Sequence, residues 1–347
     1  MSDYRRYTSL TLNGITRFGD ELRAFCSEQL TQQLEDWQKN IYSFILEWLN
    51  DNDYIIAHTS GSTGKPKEIQ LAKNMLVASA KNTCAFFHLT TESKTLLCIP
   101  AAFIGGKMML VRGFVSGMDV HTIKTTSSPL EQINTCFHFV ALTPQQAMQS
   151  SNEALEYFAN VIIGGGEVNT ALENKLHNVK CNCYSTYGMT ETASHVALKH
   201  IGKQNYFEAL PTISFTTDER NCLVIHAPKL LESPLVTNDV VELLSPTQFV
   251  WKGRFDNVIN SGGIKIYPEE VEKKLHPFIS QRFFIGKLPD EVLGEKVVLV
   301  IESDKELTID FSSTTLTAYE KPKQIIYTKK FIETESGKVK RDCFLYI

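Results

Sequence analysis

From Tyr54 onwards, short apolar runs alternate with helix-like stretches, and this alternation constrains the fold more than any other feature of the sequence. The apolar runs predict strands, and helices are predicted around residues 74–87 and from Gly105. The runs are YIIAHT, TLLCIP, HFVALTP, VIIGGG and NCYSTYG. Strands that alternate with helices favour an α/β domain with largely parallel strands, in which ligands bind beside the carboxyl ends of the strands.

Different patterns flank this α/β segment. Residues 30–49 carry apolar side chains at helical spacing, which predicts an amphipathic helix that covers one face of the domain. Residues 211–251 are rich in strand signals and predict a small barrel or an antiparallel sheet. After Gly253 the chain is more charged and the pattern is strand, helix, strand, strand, so a domain boundary is predicted at residues 254–257.

With 347 residues, the chain is long enough for two or three domains. The predicted fold class is α/β: a large N-terminal domain (1–253) with parallel sheets and a small β-rich subdomain, and a small, mobile α+β C-terminal domain (254–347).

Charge and composition exclude several classes of function. The chain has 35 Lys and Arg against 39 Asp and Glu, for a net charge of −4, so no basic surface for nucleic acid is indicated. The longest uncharged stretch, residues 132–152, contains Pro144 and many polar side chains, so no transmembrane helix is predicted. The N-terminal residues MSDYRRYTSL lack the apolar region of a secretory signal. Together with eight scattered cysteines, this predicts reduced thiols and a cytoplasmic location.

Cys181 and Cys183 are the only cysteines close together in the sequence. A C-x-C pair without a second cluster is weak support for a structural zinc site. The favoured interpretation is a strand that buries two small apolar side chains.

The segment HTSGSTGKPK directly follows a predicted strand. Its glycines alternate with hydroxyl residues, so N–H and O–H groups can converge on phosphate oxygens while a lysine adds positive charge. The spacing is not that of a Walker A loop, because proline follows the lysine. The alternative is an ordinary surface loop. The candidate phosphate-binding residues are Thr59, Ser60, Gly61, Ser62, Thr63, Gly64 and Lys67.

A second motif, YSTYGMTETA, also follows a strand. Thr190 supplies a hydroxyl group, and Glu191 supplies one carboxylate for Mg²⁺, which typically binds one or two carboxylates together with substrate phosphates. Tyr187 offers a flat ring on which a purine can lie.

Two further motifs, WKGRFDNVINSGGIKIYPEEVE and FIETESGKVKRD, complete the pattern. In this order along the chain, the four motifs closely resemble the adenylate-forming superfamily of acyl-CoA synthetases, peptide-synthetase adenylation domains and luciferases. The resemblance runs from about Tyr54 to the end of the chain, and it implies ATP, Mg²⁺ and coenzyme A as cofactor or co-substrates.

The resemblance also implies roles for individual residues. Thr190 and Glu191 would address the α-phosphate and Mg²⁺, Asp239 would bind the ribose, and Arg254 would bind the ribose or a phosphate. Asp239 could also be an ordinary turn aspartate, and the glycine run could be an ordinary strand-to-helix turn. The residues expected around the adenine and acyl groups are Gly164, Gly165, Gly166, Ser185, Tyr187, Gly188 and Met189.

In this superfamily a small domain rotates between two half-reactions. Lys338 matches the lysine that enters the site during adenylation, and Asp256 matches the hinge position. Ser261, Gly262 and Gly263 would face the acyl-adenylate when coenzyme A attacks.

Within the superfamily, the chain most resembles the o-succinylbenzoate-CoA ligases of menaquinone biosynthesis, in particular short bacterial versions. The resemblance is carried by SGSTGKPK, IPAAFIGGKMMLVRGF, ALTPQQ, IIGGGEVN and YGMTETASHVAL. Phe103 stands where many relatives have a histidine before the paired glycines of the acyl pocket. This substrate has two carboxylates and only one reacts, so the other needs a cationic or hydrogen-bonding partner. Lys107 and His195 are the candidates; alternatively, they are a solvated helix lysine and a structural turn histidine.

Other functions stay open at this point. The chain could be another aryl- or medium-chain acyl-CoA ligase, or a non-catalytic relative that binds nucleotide or acyl groups. The presence of both Glu191 and Lys338 argues against the non-catalytic relative. An amino-acid adenylation domain is less favoured because no carrier segment follows Ile347. The expected partner is a small carboxylic acid, and a homodimer is compatible with the sequence.

Overall fold

The computed structural model describes residues 3–58, 68–333 and 339–347. The predicted phosphate loop (59–67) and Lys338 therefore lie outside the described residues.

Eight helices lie within the described residues: α1 (Gly19–Leu30), α2 (Asp36–Leu49), α3 (Lys73–Phe86), α4 (Ile104–Ser116), α5 (Pro144–Gln149), α6 (Asn152–Leu155), α7 (Thr170–His177) and α8 (Pro268–Leu275). The helices predicted around residues 74–87 and from Gly105 are confirmed as α3 and α4. The helix predicted over residues 30–49 was wrong at its start, because α2 begins at Asp36. Glu35 and Gln38 form a capping box there, each side chain bonding the other's backbone N–H, which satisfies donors that a longer helix would have used internally. None of these helices is long and apolar enough to cross a membrane.

The described residues also form twenty strands: β1 (Ser9–Leu12), β2 (Ile15–Phe18), β3 (Tyr54–His58), β4 (Glu68–Ala72), β5 (Lys94–Leu97), β6 (Asp119–Thr122), β7 (Phe137–Leu142), β8 (Phe158–Ile163), β9 (Asn182–Gly188), β10 (His195–His200), β11 (Phe207–Ala209), β12 (Ser214–Thr217), β13 (Cys222–His226), β14 (Leu235–Ser245), β15 (Gln248–Arg254), β16 (Ile259–Ser261), β17 (Ile264–Ile266), β18 (Phe283–Asp290), β19 (Gly294–Glu302) and β20 (Gln324–Thr328).

Thirteen of these strands form one mixed sheet, in the order β12-β13-β14-β15-β11-β10-β9-β8-β7-β5-β6-β1-β2. The strands from β9 to β1 in this order are parallel, as the α/β alternation predicts. The other strands of this sheet, β10 to β15 in chain order, pair in antiparallel fashion. The segment predicted as a barrel or antiparallel sheet is therefore a sheet. Among the described strands, β3 and β4 pair only with each other.

Helices cover both faces of the parallel part of the large sheet. On β7, Phe139 and Ala141 pack in the core that includes α2, α3 and α4, whereas Val140 and Leu142 pack in the core that includes α5 and α7. Successive residues of a strand point to opposite faces, and a strand covered on both faces is therefore apolar throughout.

Residues after 254 have their own sheet and their own apolar cores. β16 to β20 form a five-stranded sheet, with α8 packed against β18. The two cores of this part contain only residues beyond 254, among them Ile259, Leu299 and Phe284. This arrangement favours the predicted boundary at 254–257, which stays a prediction.

The first turn of α4 packs tightly on the loop before it, and we expect a side chain placed in this contact to lower the free energy of unfolding. A Cβ atom on Gly106 would overlap the backbone carbonyl oxygen of Pro100, which cannot move aside. Gly106→Ala should lower the free energy of unfolding by roughly 1–3 kcal/mol in urea denaturation. Gly105→Ala is the matched control, since its Cβ would meet only the flexible end of Ile99 at 3.3 Å. Equal stability of the two variants would contradict the close packing of α4 on Pro100.

Candidate active site

The glycine run after β8 lies beside the end of β9. The two strands are parallel, with Ile163 opposite Ser185, so their carboxyl ends meet at one edge of the sheet. A Cβ on Gly164 would overlap Oγ1 of Thr186, whose hydroxyl donates to the Ile163 carbonyl at 3.1 Å. Gly164 therefore brings backbone, rather than a side chain, against β9, as a flat ring lying on this edge would require.

A tight turn between β9 and β10 presents Thr190 and Glu191. The turn closes because Gly188 has no side chain: a Cβ there would overlap the Ser194 carbonyl oxygen. Thr192 is buried, and its hydroxyl donates to that same carbonyl at 2.7 Å, which holds the turn. Thr190 is half-buried and Glu191 is exposed. Within the described residues no group of three or more His, Cys, Asp or Glu side chains could hold a metal ion. A single free carboxylate fits Mg²⁺ when substrate phosphates complete its ligands.

Asp239 lies at the centre of a cluster that contains two further predicted site residues, Tyr187 and Arg254. Its carboxylate accepts hydrogen bonds from the Tyr187 hydroxyl at 2.7 Å and from the Trp251 indole N–H at 3.2 Å. Nη1 of Arg254 is 3.5 Å away. The side chain is buried, on β14, and is not in a turn.

The pairing of β14 with β15 places two residues of this cluster opposite each other. Asp239 pairs with Arg254 across β14 and β15, so the ribose candidate and the phosphate candidate are opposite each other in the ladder.

Burial and the adjacent Asp239 charge raise the pKa of Tyr187, so its phenol keeps the proton that it donates. Sequence reasoning missed the role of Trp251, although it opens the third motif; its contact with Asp239 depends on the bulged register of β14 and β15.

The ring of Tyr187 is half-buried among other aromatic rings. It meets Phe249 edge-on, with centroids 5.1 Å apart, and lies 5.8 Å from Phe207. These contacts fix the orientation of the ring. That a purine stacks on it stays a prediction.

The three residues predicted for the acyl pocket lie in different environments. Phe103, directly before α4, is 57% exposed. Lys107 is not solvated: its ammonium group donates to Glu47 at 2.8 Å and to the Ile56 carbonyl at 2.6 Å. His195 is buried, with ring nitrogens 3.2 Å from the hydroxyls of Thr83 and Ser194.

His195 is held neutral by its surroundings. Burial, together with the nearby Arg112 guanidinium, keeps its pKa well below the usual value of 6.5. A neutral imidazole that already bonds two hydroxyls is a poor partner for a carboxylate.

Arg112, in the middle of α4, is the cation that sequence reasoning missed. It is 2% exposed, and no described acidic side chain forms an ion pair with it. Nη2 donates to the Ser194 hydroxyl at 2.8 Å, whereas Nε has no partner among the described residues. Burial lowers its pKa to about 10, so the group stays charged at neutral pH. The available signal was a lone arginine inside the apolar run MMLVRGF.

The predicted hinge and thiol-step residues lie between β15 and β17. Asp256 lies in a short 3₁₀ turn, Phe255–Asn257, and the Asn238 side-chain amide is 3.5 Å from its carboxylate. Gly262 and Gly263 form the two-residue connection of the β16–β17 hairpin, with φ of 59° and 81°. Such turns need positive φ at both positions, which explains the glycine pair. Ser261 is buried at the end of β16. Binding of coenzyme A here stays a prediction.

The residues on the two sides of 334–338 pair with each other and are held to α8. Glu333 and Val339 form a β-bridge. Arg341 donates two hydrogen bonds to Glu272 of α8, at 2.7 and 2.9 Å. A bidentate pair of this kind gives defined geometry as well as energy.

Known proteins resemble this chain in sequence and in fold. A family model described as AMP-binding enzyme matches residues 20–222. The 2-succinylbenzoate–CoA ligase of Enterococcus faecalis is 28% identical over 334 residues, which cover 84% of this chain and 68% of that protein. The chain spans 59% to 68% of the length of the first curated relatives that it matches.

Two solved structures extend the comparison. The crystal structure of an acyl-CoA synthetase (AMP-forming)/AMP-acid ligase II-like protein from Dyadobacter fermentans is 32% identical, with a TM-score of 0.61, and the match covers 92% of this chain and 96% of that one. The o-succinylbenzoate CoA synthetase of Bacillus subtilis, in complex with its acyl-adenylate intermediate, is 19% identical with a TM-score of 0.70. That match covers 82% of this chain and 67% of the other, and at this identity it shows the fold alone.

The neutral state of His195 predicts a pH dependence of stability. In the unfolded chain an ordinary imidazole takes up a proton below about pH 6.5, whereas the buried ring does not. The unfolded state then binds more protons, so the free energy of unfolding should fall with decreasing pH, by at most ~1.4 kcal/mol per pH unit from this group. In urea denaturation between about pH 7 and pH 5.5, His195→Asn should lack this part of the decrease.

The exposed His88 provides the control. His88→Asn should keep the full wild-type decrease, and asparagine tolerates the positive φ of 53° at this position. Identical pH profiles for wild type and His195→Asn would mean that folding does not lower the pKa of this histidine.

Proposed function

The chain belongs to the AMP-binding enzyme family, and we propose that it is an acid–thiol ligase that joins o-succinylbenzoate to coenzyme A through an acyl-adenylate made from ATP. The observation that carries the proposal is the Asp239 cluster, in which motifs far apart in the sequence contribute Tyr187, Trp251 and Arg254 to one buried carboxylate. The similarity to 2-succinylbenzoate–CoA ligases supports the choice of acid.

ATP would lie along the carboxyl edge of β8 and β9. The two oxygens of Asp239 can accept from the vicinal hydroxyls of a ribose, with Arg254 adjacent for a ribose or phosphate oxygen. The backbone of the glycine run 164–166 would lie against the adenine. Thr190 and Glu191, on the turn after β9, would face the phosphates, where Mg²⁺ bound to Glu191 would offset their negative charge.

The chemistry requires stabilisation of charge rather than a general base. A carboxylate is already anionic; its oxygen attacks the α-phosphorus, the bond to pyrophosphate breaks, and an acyl-adenylate results. Negative charge grows on the α-phosphate, where Thr190 and Lys338 would stabilise it, each such contact typically contributing roughly 10²–10³ in rate. The sulfur of coenzyme A then attacks the acyl carbon, and AMP leaves.

Arg112 is the candidate partner for the carboxylate that does not react. A buried charge without a counter-ion is costly, and a substrate carboxylate would supply the missing negative charge. The Ser194 hydroxyl, which already contacts Arg112, would give the substrate a second donor. The earlier candidates fit less well, because Lys107 is paired with Glu47 and His195 is neutral.

Cytoplasmic location and a homodimer are further proposals. The described residues contain no helix that is long and apolar enough to cross a membrane.

A substrate panel tests the proposed function. With MgATP, o-succinylbenzoate should release pyrophosphate and, with coenzyme A present, form a thioester; benzoate and medium-chain fatty acids should react with much lower kcat/KM. Lys338→Ala separates the two half-reactions. The variant should lose roughly 10²-fold or more in adenylation, because charge develops beside the lysine only in that step. When synthetic acyl-adenylate is supplied, the same variant should still form thioester. A higher kcat/KM for benzoate or a fatty acid would overturn the assignment of the acid.

The proposed role of Arg112 predicts that its replacement changes the specificity for the acid without impairing adenylation itself. Arg112→Met should lower kcat/KM for o-succinylbenzoate roughly 10- to 100-fold, the contribution of a charge-assisted hydrogen bond. An analogue whose second carboxylate is replaced by hydrogen should react equally well with wild type and variant. Arg112→Lys keeps the charge and should keep part of the preference. If Arg112→Met melts normally and still prefers the dicarboxylate, Arg112 does not bind it.

A further inference from the structure

Two thiols lie in contact at the amino end of β9, away from the site described above. The Sγ atoms of Cys181 and Cys183 are 3.5 Å apart. Residues two positions apart along a strand point to the same face, which places the two side chains next to each other. Sequence reasoning predicted two buried apolar side chains; the structure buries Cys183, at 1% exposure, but leaves Cys181 partly exposed.

The backbone geometry allows a covalent bridge. At a strand rise of ~3.3 Å per residue, two Cα atoms two positions apart are roughly 6.6 Å from each other. Disulfides span Cα separations of about 4.4–6.8 Å, so rotation of the side chains can bring the sulfur atoms to bonding distance. Cys181 lies in a bend before β9 begins at Asn182, outside the ladder, so a small backbone adjustment there breaks no strand pairing.

We propose that Cys181 and Cys183 form a redox modification site, a dithiol that closes to a disulfide under mild oxidation and reopens with a thiol reductant. This inference does not depend on the proposed ligase function.

The pKa values of the two thiols are shifted in opposite directions, as disulfide formation by stepwise oxidation requires. The hydrogen bond from Cys183 lowers the pKa of the Cys181 thiol. The same bond, together with burial, raises the pKa of Cys183. The thiolate, which is the reactive form, therefore forms first on the exposed partner. The protonated and buried partner lies beside it, placed to complete the bridge.

The reaction with hydrogen peroxide balances with these two groups alone. The Cys181 thiolate attacks one peroxide oxygen, the O–O bond breaks, and the departing hydroxide takes up a proton to become water. The sulfur of Cys183 then attacks the resulting sulfenic acid; the S–S bond forms, and the hydroxyl leaves as water with the Cys183 proton. Two thiols and one peroxide thus give one disulfide and two waters.

Cys181 and Cys183 lie on a single tryptic peptide, so the disulfide can be detected directly. Trypsin cleaves after Lys180 and after Lys199, and the peptide between them, CNCYSTYGMTETASHVALK, contains no other cysteine. The folded wild-type protein is treated with hydrogen peroxide, alkylated and digested. The peptide should have lost the mass of two hydrogens and carry no alkyl group, and prior dithiothreitol should restore double alkylation.

Variants separate the intramolecular bridge from other oxidation. In Cys183→Ser, Cys181 should accumulate as a sulfenic acid that dimedone traps. Cys136→Ser is the matched control, because Cys136 is exposed and no described sulfur atom contacts it; the bridge should form there as in wild type. If Cys181 is oxidised to sulfinic acid while Cys183 remains open to alkylation after unfolding, or if the lost hydrogens map to other cysteines, the proposal is wrong.

Discussion

The buried carboxylate of Asp239 holds the two parts of the large sheet in the arrangement that makes a site. Asp239 lies on β14 and Tyr187 lies on β9, and in the strand order β15, β11 and β10 stand between them. A contact of 2.7 Å across this separation requires the antiparallel part to curl over the end of the parallel part. Arg254 is the last residue of β15, so the same carboxylate also holds the point at which the chain leaves the large sheet.

The two buried cations of α4, Lys107 and Arg112, lie in different electrostatic environments. The ammonium group of Lys107 meets a carboxylate and a carbonyl, so its charge is compensated within the protein. In the part of the chain that the structure describes, Arg112 has a hydroxyl and a thioether as partners, and its Nε has none. Because desolvation of a charge is costly unless it is paired, the two cations have different roles: Lys107 holds α4 to α2, and Arg112 is the cation that we propose for a substrate carboxylate.

Much of the fold could be predicted because local patterns and local physics agree. The apolar runs became strands, the long helices α3 and α4 lie where periodicity indicated, and the glycine-rich motifs follow strands as expected. The helix predicted from Leu30 was wrong at its start, since periodicity does not register a capping box such as that of Glu35 and Gln38. The motif residues Tyr187, Asp239 and Arg254 could be named, but their mutual contacts could not, because those depend on how the sheet curls.

The sequence by itself determined the family, the α/β alternation and the residue types that nucleotide chemistry needs, since these follow from short-range patterns and from motifs that keep their spacing. Only the tertiary structure decided which polar side chains are compensated. Whether a lysine in α4 is solvated or paired with Glu47, whether His195 can carry charge, and whether Arg112 lacks a counter-ion all depend on groups from other elements. Electrostatic free energy is set by distance and burial in three dimensions, and neither quantity is written in the order of residues along the chain.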